Sequence, residues 1–236
     1  MNNFLSSSLG KKVVMAATGL FLCVFLIEHL YSNLYLFAGD GGETFNEISH
    51  DMVHSIFIRV TEIVLFVAIV LHVIQAVYLT RQNAQARPVK YAVIKVNETS
   101  KWFSRNMGIT GSVIFFFIVV HLWNFFVPYR ITGHVGAESG ETLAKEVAEA
   151  LGNGYYSSLY LVSVMFLAFH LNHGFQSAFH TLGFNNKTYA KVWKIAGSVF
   201  AFGVVGVGFG IFPIFFYLSE ITNGDILNNG IFFWLK

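Results

Sequence analysis

Two histidines occupy the same position in two long apolar stretches of this chain. The stretches are MAATGLFLCVFLIEHL at 15–30 and MGITGSVIFFFIVVHL at 107–122. Both read M-x-x-T-G, then nine residues, then H-L, so His29 and His121 are equivalent. An ionisable side chain inside a bilayer costs about 2 kcal/mol or more unless it is paired. A lone histidine of this kind is explained by an interhelical hydrogen bond, whereas the repetition indicates a paired site.

A second pair of histidines lies in two further apolar stretches. His72 is followed four residues later by Ala76, and His170 is followed four residues later by Gly174. The pattern predicts a tandem duplication of a two-helix unit, with a fifth apolar stretch that has no histidine. Residue counts from the flanking charges place the two histidine pairs at levels on the order of 10 Å apart along the helices.

Two neutral imidazoles that face each other, twice, in an apolar bundle suit haem better than zinc. Zinc usually takes three or four protein ligands, often thiolate or carboxylate. Haem takes two axial ligands on opposite sides of a flat macrocycle, and helix bundles build cofactor sites from facing side chains. We therefore expect one haem between His29 and His121 and another between His72 and His170. The chain has no C-x-x-C-H sequence, which excludes covalent c-type haem.

Small residues near the histidines are expected to leave room for a porphyrin. Ala76 and Gly174 lie one helical turn beyond a ligand, on nearly the same helix face. Gly19 and Gly111 lie ten residues before their histidines, about 15 Å along the helix, and are expected at the level of the other pair. Close helix–helix contact is the alternative explanation for these glycines.

Composition predicts an all-α membrane protein. Charged residues make up 12% of the 236 residues and hydrophobic residues 55%, whereas soluble domains are roughly a quarter charged. We predict a single transmembrane domain over 1–236, with helices at about 13–37, 56–80, 107–128, 155–180 and 193–218. The first run is too long for a signal peptide and contains Glu28. A net charge of +2 does not suggest nucleic acid binding.

Loop charges predict the orientation. The N-terminus and the second and fourth loops are basic, whereas the first and third loops are acidic. By the positive-inside rule the N-terminus is cytoplasmic and the C-terminus lies outside. Within the third loop, ETLAKEVAEALGNG is expected to form a short surface helix that ends at Gly152 or Gly154 and covers the outer face.

Several polar residues are candidates for proton chemistry or cofactor contacts. Glu62, at the outer start of the second span, is a candidate proton acceptor beside the haem expected between His29 and His121, with Arg59 and His54 near it. An Arg59–Glu62 ion pair with i,i+3 spacing is the alternative. Glu28, next to His29, is expected to be protonated or hydrogen-bonded within the bundle.

On the inner side, His173 competes with His170 as a ligand, and the helix face marked by Gly174 favours His170. His173 is otherwise a candidate partner of a haem propionate or a quinone. The further inner candidates for propionate or quinone contacts are His180, Arg81, Lys101, Trp102 and Arg105. Positive-inside charges or a docking surface would also explain most of these residues. Gly206 and Gly210 form a small-x-x-x-small face that predicts helix packing.

The chain resembles the five-helix, di-haem cytochrome b subunit of succinate dehydrogenase or fumarate reductase. The motifs are T-G-L-F-L…H in the first span, T-G…H in the third, and FHLNHGFQSAFHTLGF at 169–184. The likeness covers essentially the whole chain in helix count, topology and histidine order. One departure is Ala168, where some members have a glutamate used in proton movement, and this puts that proton route in doubt.

The resemblance implies a membrane anchor in the bacterial cytoplasmic membrane. It implies two haem b groups with His29, His121, His72 and His170 as axial iron ligands, and a quinone, expected to be menaquinone. It also implies two partners on the cytoplasmic face, a flavoprotein subunit and an iron–sulfur subunit, which contain the FAD and the iron–sulfur clusters. The chain would relay electrons between the iron–sulfur subunit and quinone in respiratory complex II of the tricarboxylic acid cycle. A homo-oligomer of the complex is compatible with it.

Two other functions fit the same residues. One is a proton-coupled transporter or channel that uses buried His and Glu side chains as a relay. The other is a di-haem cytochrome b of a different dehydrogenase. The sequence does not decide between succinate oxidation and fumarate reduction.

Overall fold

The computed structural model describes residues 7–85, 106–135, 141–184 and 186–222. All of its regular elements are helical. The α-helices are α1 (Ser8–Asn33), α2 (Glu43–His54), α3 (Ile56–Gln85), α4 (Met107–His121), α5 (Leu143–Gly152), α6 (Gly154–Thr181), α7 (Lys187–Ser198) and α8 (Gly208–Ile221). A 3₁₀ turn, Leu34–Phe37, continues α1, and the π-helical segments are Leu122–Thr132 after α4 and Val199–Val207 between α7 and α8.

Five long apolar helices could cross a membrane, which confirms the predicted number of spans. In chain order these spans are Ser8–Phe37, Ile56–Gln85, Met107–Thr132, Gly154–Thr181 and Lys187–Ile221. The predicted spans are shorter than the observed helices mainly where polar residues extend a helix beyond its apolar part. The second span extends past 80, and the fifth begins before 193 with a polar first turn capped by Asn186, whose side chain accepts from the backbone N–H of Tyr189.

The first four spans form a ring in chain order. The first span packs against the second and the fourth, and the third packs against the fourth. The second and third spans make only slight contact. Among the described residues, the first and third spans, and the second and fourth, are diagonal rather than packed neighbours.

The fifth span closes one side of this ring. It packs along the fourth span and touches the first. A buried cluster joins these three spans through Cys23, Leu171, Phe200, Ala201 and Val205. Of the two glycines predicted to form a packing face, Gly206 lies against the fourth span, where an added Cβ would be 3.7 Å from the Cβ of Ala168, whereas a Cβ on Gly210 would meet no atom within 4 Å.

Two short helices cover one end of the bundle, which we call the capped end. The predicted loop helix is confirmed as α5, and it ends at Gly152. The sequence analysis missed α2, which contacts α5 where Asn46 Oδ1 accepts from the backbone N–H of Ala144 at 2.9 Å. Gly42, at φ +90°, begins α2 so close to the Ala144 side chain that a Cβ would not fit.

Asp40 stabilises the start of α2 from the preceding turn. Its carboxylate accepts from the backbone N–H of Gly42 at 3.0 Å and of Thr44 at 2.9 Å. Hydrogen bonds from the hydroxyl and backbone N–H of Thr44 lower the pKa of Asp40 below its usual value. Asp40 of this acidic loop therefore helps to order the start of α2.

The fifth span lies close to Leu30 of the first span at Gly208. A Cβ built there would lie 2.6 Å from Leu30 Cδ2, so only glycine fits without movement of Leu30. On the same span, Gly203 is exposed, and the nearest atom to its built Cβ is Val199 Cγ1 at 4.0 Å.

We expect Gly208→Val to lower the free energy of unfolding by about 1–3 kcal/mol, because the added methyl groups overpack the contact with Leu30. Gly203→Val is the matched control, since it adds the same side chain to the same span at an exposed position. Thermal unfolding of detergent-solubilised protein, followed by circular dichroism, measures both. Equal stability of the two variants would contradict the packing assigned to Gly208.

Candidate functional site

The first histidine pair joins diagonal spans near the capped end. His29 of the first span and His121 of the third have ring centroids 5.7 Å apart, with planes at 88°. Phenylalanine rings surround them: Phe25 stacks on His29 at 5.2 Å, and Phe117 and Phe125 lie 5.7 and 5.4 Å from His121. The imidazoles therefore meet in an apolar, aromatic environment.

The second pair joins the other diagonal. His72 of the second span and His170 of the fourth have ring centroids 6.4 Å apart, with planes at 63°. The sequence pairing, first with third span and second with fourth, thus describes side chains that the fold brings together.

Both centroid separations suit two imidazoles that ligate one ion from opposite sides. Metal–imidazole bonds of about 2 Å and a ring radius of about 1 Å would place the two centroids about 6 Å apart. The observed 5.7 and 6.4 Å bracket this value. In the described part of the chain, no group of three or more His, Cys, Asp or Glu side chains is arranged to hold a metal ion. The candidate ligands therefore come in twos.

Threonines of the duplicated T-G sequences contact the second pair. Thr18 Oγ1 lies 3.1 Å from His72 Nδ1, and Thr110 Oγ1 lies 3.3 Å from His170 Nδ1. Thr18 is eleven residues before His29, as Thr110 is before His121. At 1.5 Å per residue, these contacts place the two levels about 16 Å apart along the helices, more than the ~10 Å expected from loop charges.

The first pair has different polar neighbours. The hydroxyl of Tyr160, on the fourth span, lies 3.3 Å from His121 Nδ1. Asn33, one turn after His29, has its Nδ2 3.4 Å from His29 Nδ1 and donates to the His29 carbonyl oxygen at 2.6 Å. The sequence analysis missed Tyr160 and both threonines, although the repeated T-G was a usable signal for the latter.

The glycines of the T-G sequences lie beside the second pair, as their spacing predicts. A Cβ on Gly19 would lie 3.3 Å from His72 Cε1, and one on Gly111 would lie 3.7 Å from His170 Cε1. A Cβ on Gly174 would meet no atom within 4 Å. Gly174 therefore borders open space one turn beyond His170.

The inner candidates are placed differently from one another. His173 is half-buried one turn from His170, whereas His180 and Arg81 are exposed. Lys101, Trp102 and Arg105 lie outside the described residues. The assignment of propionate or quinone contacts to these residues stays a prediction.

Glu62 lies in a cluster with two arginines. Its Oε2 is 3.4 Å from Arg59 Nη1 and 3.2 Å from Arg130 Nη2, so the ion pair considered from the sequence is present. The Arg130 side chain is only 15% exposed, and its buried Nε has no hydrogen-bond partner among the described residues. His54 is exposed and packs on His50, with centroids 4.2 Å apart. A proton role for Glu62 stays a prediction.

Glu28 was expected to be protonated or hydrogen-bonded inside the bundle. Its side chain is exposed on the surface of the first span, without a polar partner among the described residues, because a one-residue step rotates it about 100° from His29. The hydrogen bond is therefore not formed with any described residue, and protonation of Glu28 stays a prediction. Ala168 is 3% exposed and packs against Gly206, so the fifth span occupies the space beside it.

The Glu62 cluster predicts unequal effects of its two arginines on stability. We expect Arg130→Met to lower the free energy of unfolding by about 1–3 kcal/mol, because it removes a largely buried charged hydrogen bond. Arg59→Met is the matched control on the same carboxylate and should cost below about 1 kcal/mol, since that pair is surface-exposed. Thermal unfolding in detergent measures both variants, and an equal loss would contradict the greater role given to Arg130.

Comparison of the chain with protein-family models, with curated proteins and with solved structures gives no match. The functional assignment consequently depends on the residues themselves. Its basis is the order of the histidines along the chain and the geometry of the two pairs.

Proposed function

We propose that this membrane protein binds two haem b groups, one between His29 and His121 and one between His72 and His170. The observation behind the proposal is the recurrence of one geometry: two imidazoles from diagonal helices, with centroids 5.7 or 6.4 Å apart, at two levels of one bundle. An isolated structural histidine needs one hydrogen-bonding neighbour and no second imidazole. Two opposed pairs are what bis-imidazole ligation needs.

The surroundings of the second pair also fit a macrocycle. Gly174 borders open space beside His170, and the slight contact between the second and third spans leaves that side of the ring loosely closed. Gly19 and Gly111 keep the helix surface clear of Cβ atoms where the imidazoles of His72 and His170 lie.

In this proposal, the chain's residues position the two haems and separate them from water. Haem supplies reversible one-electron chemistry when bound. The four histidines would hold the two haem irons, and the phenylalanines around His29 and His121 would keep water away from that level. Two haems bound about 16 Å apart along the helices would relay electrons across the bundle.

We propose further that this relay makes the chain the cytochrome b membrane anchor of a succinate:quinone oxidoreductase. The support is the five-span layout, with histidines in the order expected for that family. Quinone, with menaquinone as the expected form, would react in this chain, and Glu62 is the candidate proton acceptor for it. The flavoprotein and iron–sulfur partners would dock at the basic, cytoplasmic end, with the N-terminus on that side.

The direct test is haem content. Purified wild-type protein should show b-type bands in reduced-minus-oxidised spectra and two haems per chain. His72→Ala and His170→Ala should each remove the haem proposed for that pair. His29→Ala and His121→Ala should each remove the other haem, because each variant deletes one of the two protein ligands of one iron. His54→Ala is the control, since this exposed histidine packs on His50 at the protein surface. Colourless, correctly folded wild-type protein would instead favour a proton-coupled transporter.

The same spectra decide between His170 and His173 as ligand. We expect His170→Ala to lose a haem and His173→Ala to retain both, because the His170 imidazole is the one opposite His72. Retention of both haems in His170→Ala, with loss in His173→Ala, would reverse the assignment.

Isolation of the native complex then tests its partners: a flavoprotein together with an iron–sulfur protein is expected, whereas subunits of a hydrogenase or formate dehydrogenase would contradict the succinate assignment.

A further inference from the structure

We propose that Thr18 and Thr110 are positioning residues that fix the tautomer and the ring plane of His72 and His170. The inference deepens the proposed function, and it rests on haem ligation by this pair. It assigns a chemical role to the threonine of each repeated T-G sequence. Thr18 on the first span orients His72 on the second, and Thr110 on the third span orients His170 on the fourth.

The first step concerns the hydroxyl protons. Thr18 Oγ1 lies 2.9 Å from the carbonyl oxygen of Val14 and 3.1 Å from that of Met15, both in its own helix, and Thr110 Oγ1 is 3.1 Å from the carbonyl oxygen of Met107. Each hydroxyl has one proton. With that proton on a backbone carbonyl, the hydroxyl can only accept a hydrogen bond from the neighbouring imidazole.

The second step concerns the imidazoles. With each hydroxyl proton assigned to a backbone carbonyl, the threonine oxygens accept from Nδ1 of His72 and of His170, at 3.1 and 3.3 Å, and this assignment makes Nδ1 the protonated nitrogen. Nε2 then has a free lone pair in both rings. A metal-ligating histidine typically donates its other ring N–H to such a partner, which fixes ring orientation and raises ligand basicity.

The third step concerns the glycine beside each threonine. Cβ atoms at Gly19 and Gly111 would lie 3.3 and 3.7 Å from Cε1 of the two imidazoles. The distance at Gly19 is tighter than an ordinary contact, so a side chain there would press on the His72 ring, whereas the distance at Gly111 is an ordinary van der Waals contact. The two rings therefore lie against the helices that present the threonines, and the glycine favours this position most at Gly19.

The role is specific to one level. His121 Nδ1 has the hydroxyl of Tyr160 as its neighbour, from a different position in the fold. Changes at Thr18 and Thr110 should therefore act on the haem of His72 and His170 alone, and Tyr160→Phe provides the matched control for the other level.

The test is a potentiometric titration of the purified cytochrome, with Thr18→Val and Thr110→Val compared with wild type. Loss of the acceptor makes the imidazole a weaker donor and so favours reduced iron. At the wild-type midpoint, we expect the ratio of reduced to oxidised haem at this level to rise about threefold to tenfold, with the other haem unchanged. Thr18→Ser should restore the wild-type ratio, because it keeps the hydroxyl.

Electron paramagnetic resonance of the oxidised protein gives a second readout, because the low-field signal of low-spin ferric haem depends on the angle between the axial imidazole planes. Thr18→Val should shift the signal of one haem only, and Tyr160→Phe that of the other. If Thr18→Val does not fold, Thr18→Ala with Thr18→Ser makes the same comparison. If wild-type protein binds two haems but their potentials and signals do not change in the threonine variants, the inference is overturned and the proposed function is left intact. Wild-type protein without haem would overturn the proposed function itself.

Discussion

The cost of placing an imidazole in hydrocarbon is the constraint on which this structure depends. Each ring nitrogen inside a bilayer needs a partner, since an unpaired polar group there costs several kcal/mol. The fold meets this need for Nδ1 of His72, His121 and His170 with hydroxyls from neighbouring spans. The remaining nitrogens belong to rings that face one another across the bundle. Hydrogen bonding alone would not require each imidazole to lie opposite a second imidazole.

The packing of the spans divides into a tight part and a loose part. The first, fourth and fifth spans share a buried cluster that includes Ala201 and Val205, both fully buried. The second span packs against the first and the third against the fourth, but the second and third contact each other only slightly. His72 and His121 lie on these two spans, one on each side of this weakest contact in the ring.

Apolar length was sufficient to predict the five spans, and equal spacing was sufficient to predict which histidines meet. Features that depend on contacts between distant residues could not be predicted in this way. The Arg130–Glu62 pair joins positions 68 apart, and the α2 helix has too polar a composition to stand out in a loop. The outward direction of Glu28 follows from which face of the first span is packed, and that face is known only once the neighbouring spans are placed.

The two histidine levels differ in their polar neighbours, although the repeat contributes histidines to both. At the His72–His170 level, both hydroxyl partners come from the repeated T-G sequence, so each hairpin of two helices contains a histidine together with its hydroxyl neighbour. At the His29–His121 level, the neighbours come from outside the T-G sequence: Tyr160 from the fourth span and, at 5.8 Å from His29, the ring of Phe209 from the fifth. The hydroxyl partners at the His72–His170 level therefore recur with the T-G sequence, whereas the neighbours at the His29–His121 level do not. Because second-sphere hydrogen bonds and local polarity tune a bound metal, one repeated helix pair can produce two chemically different sites.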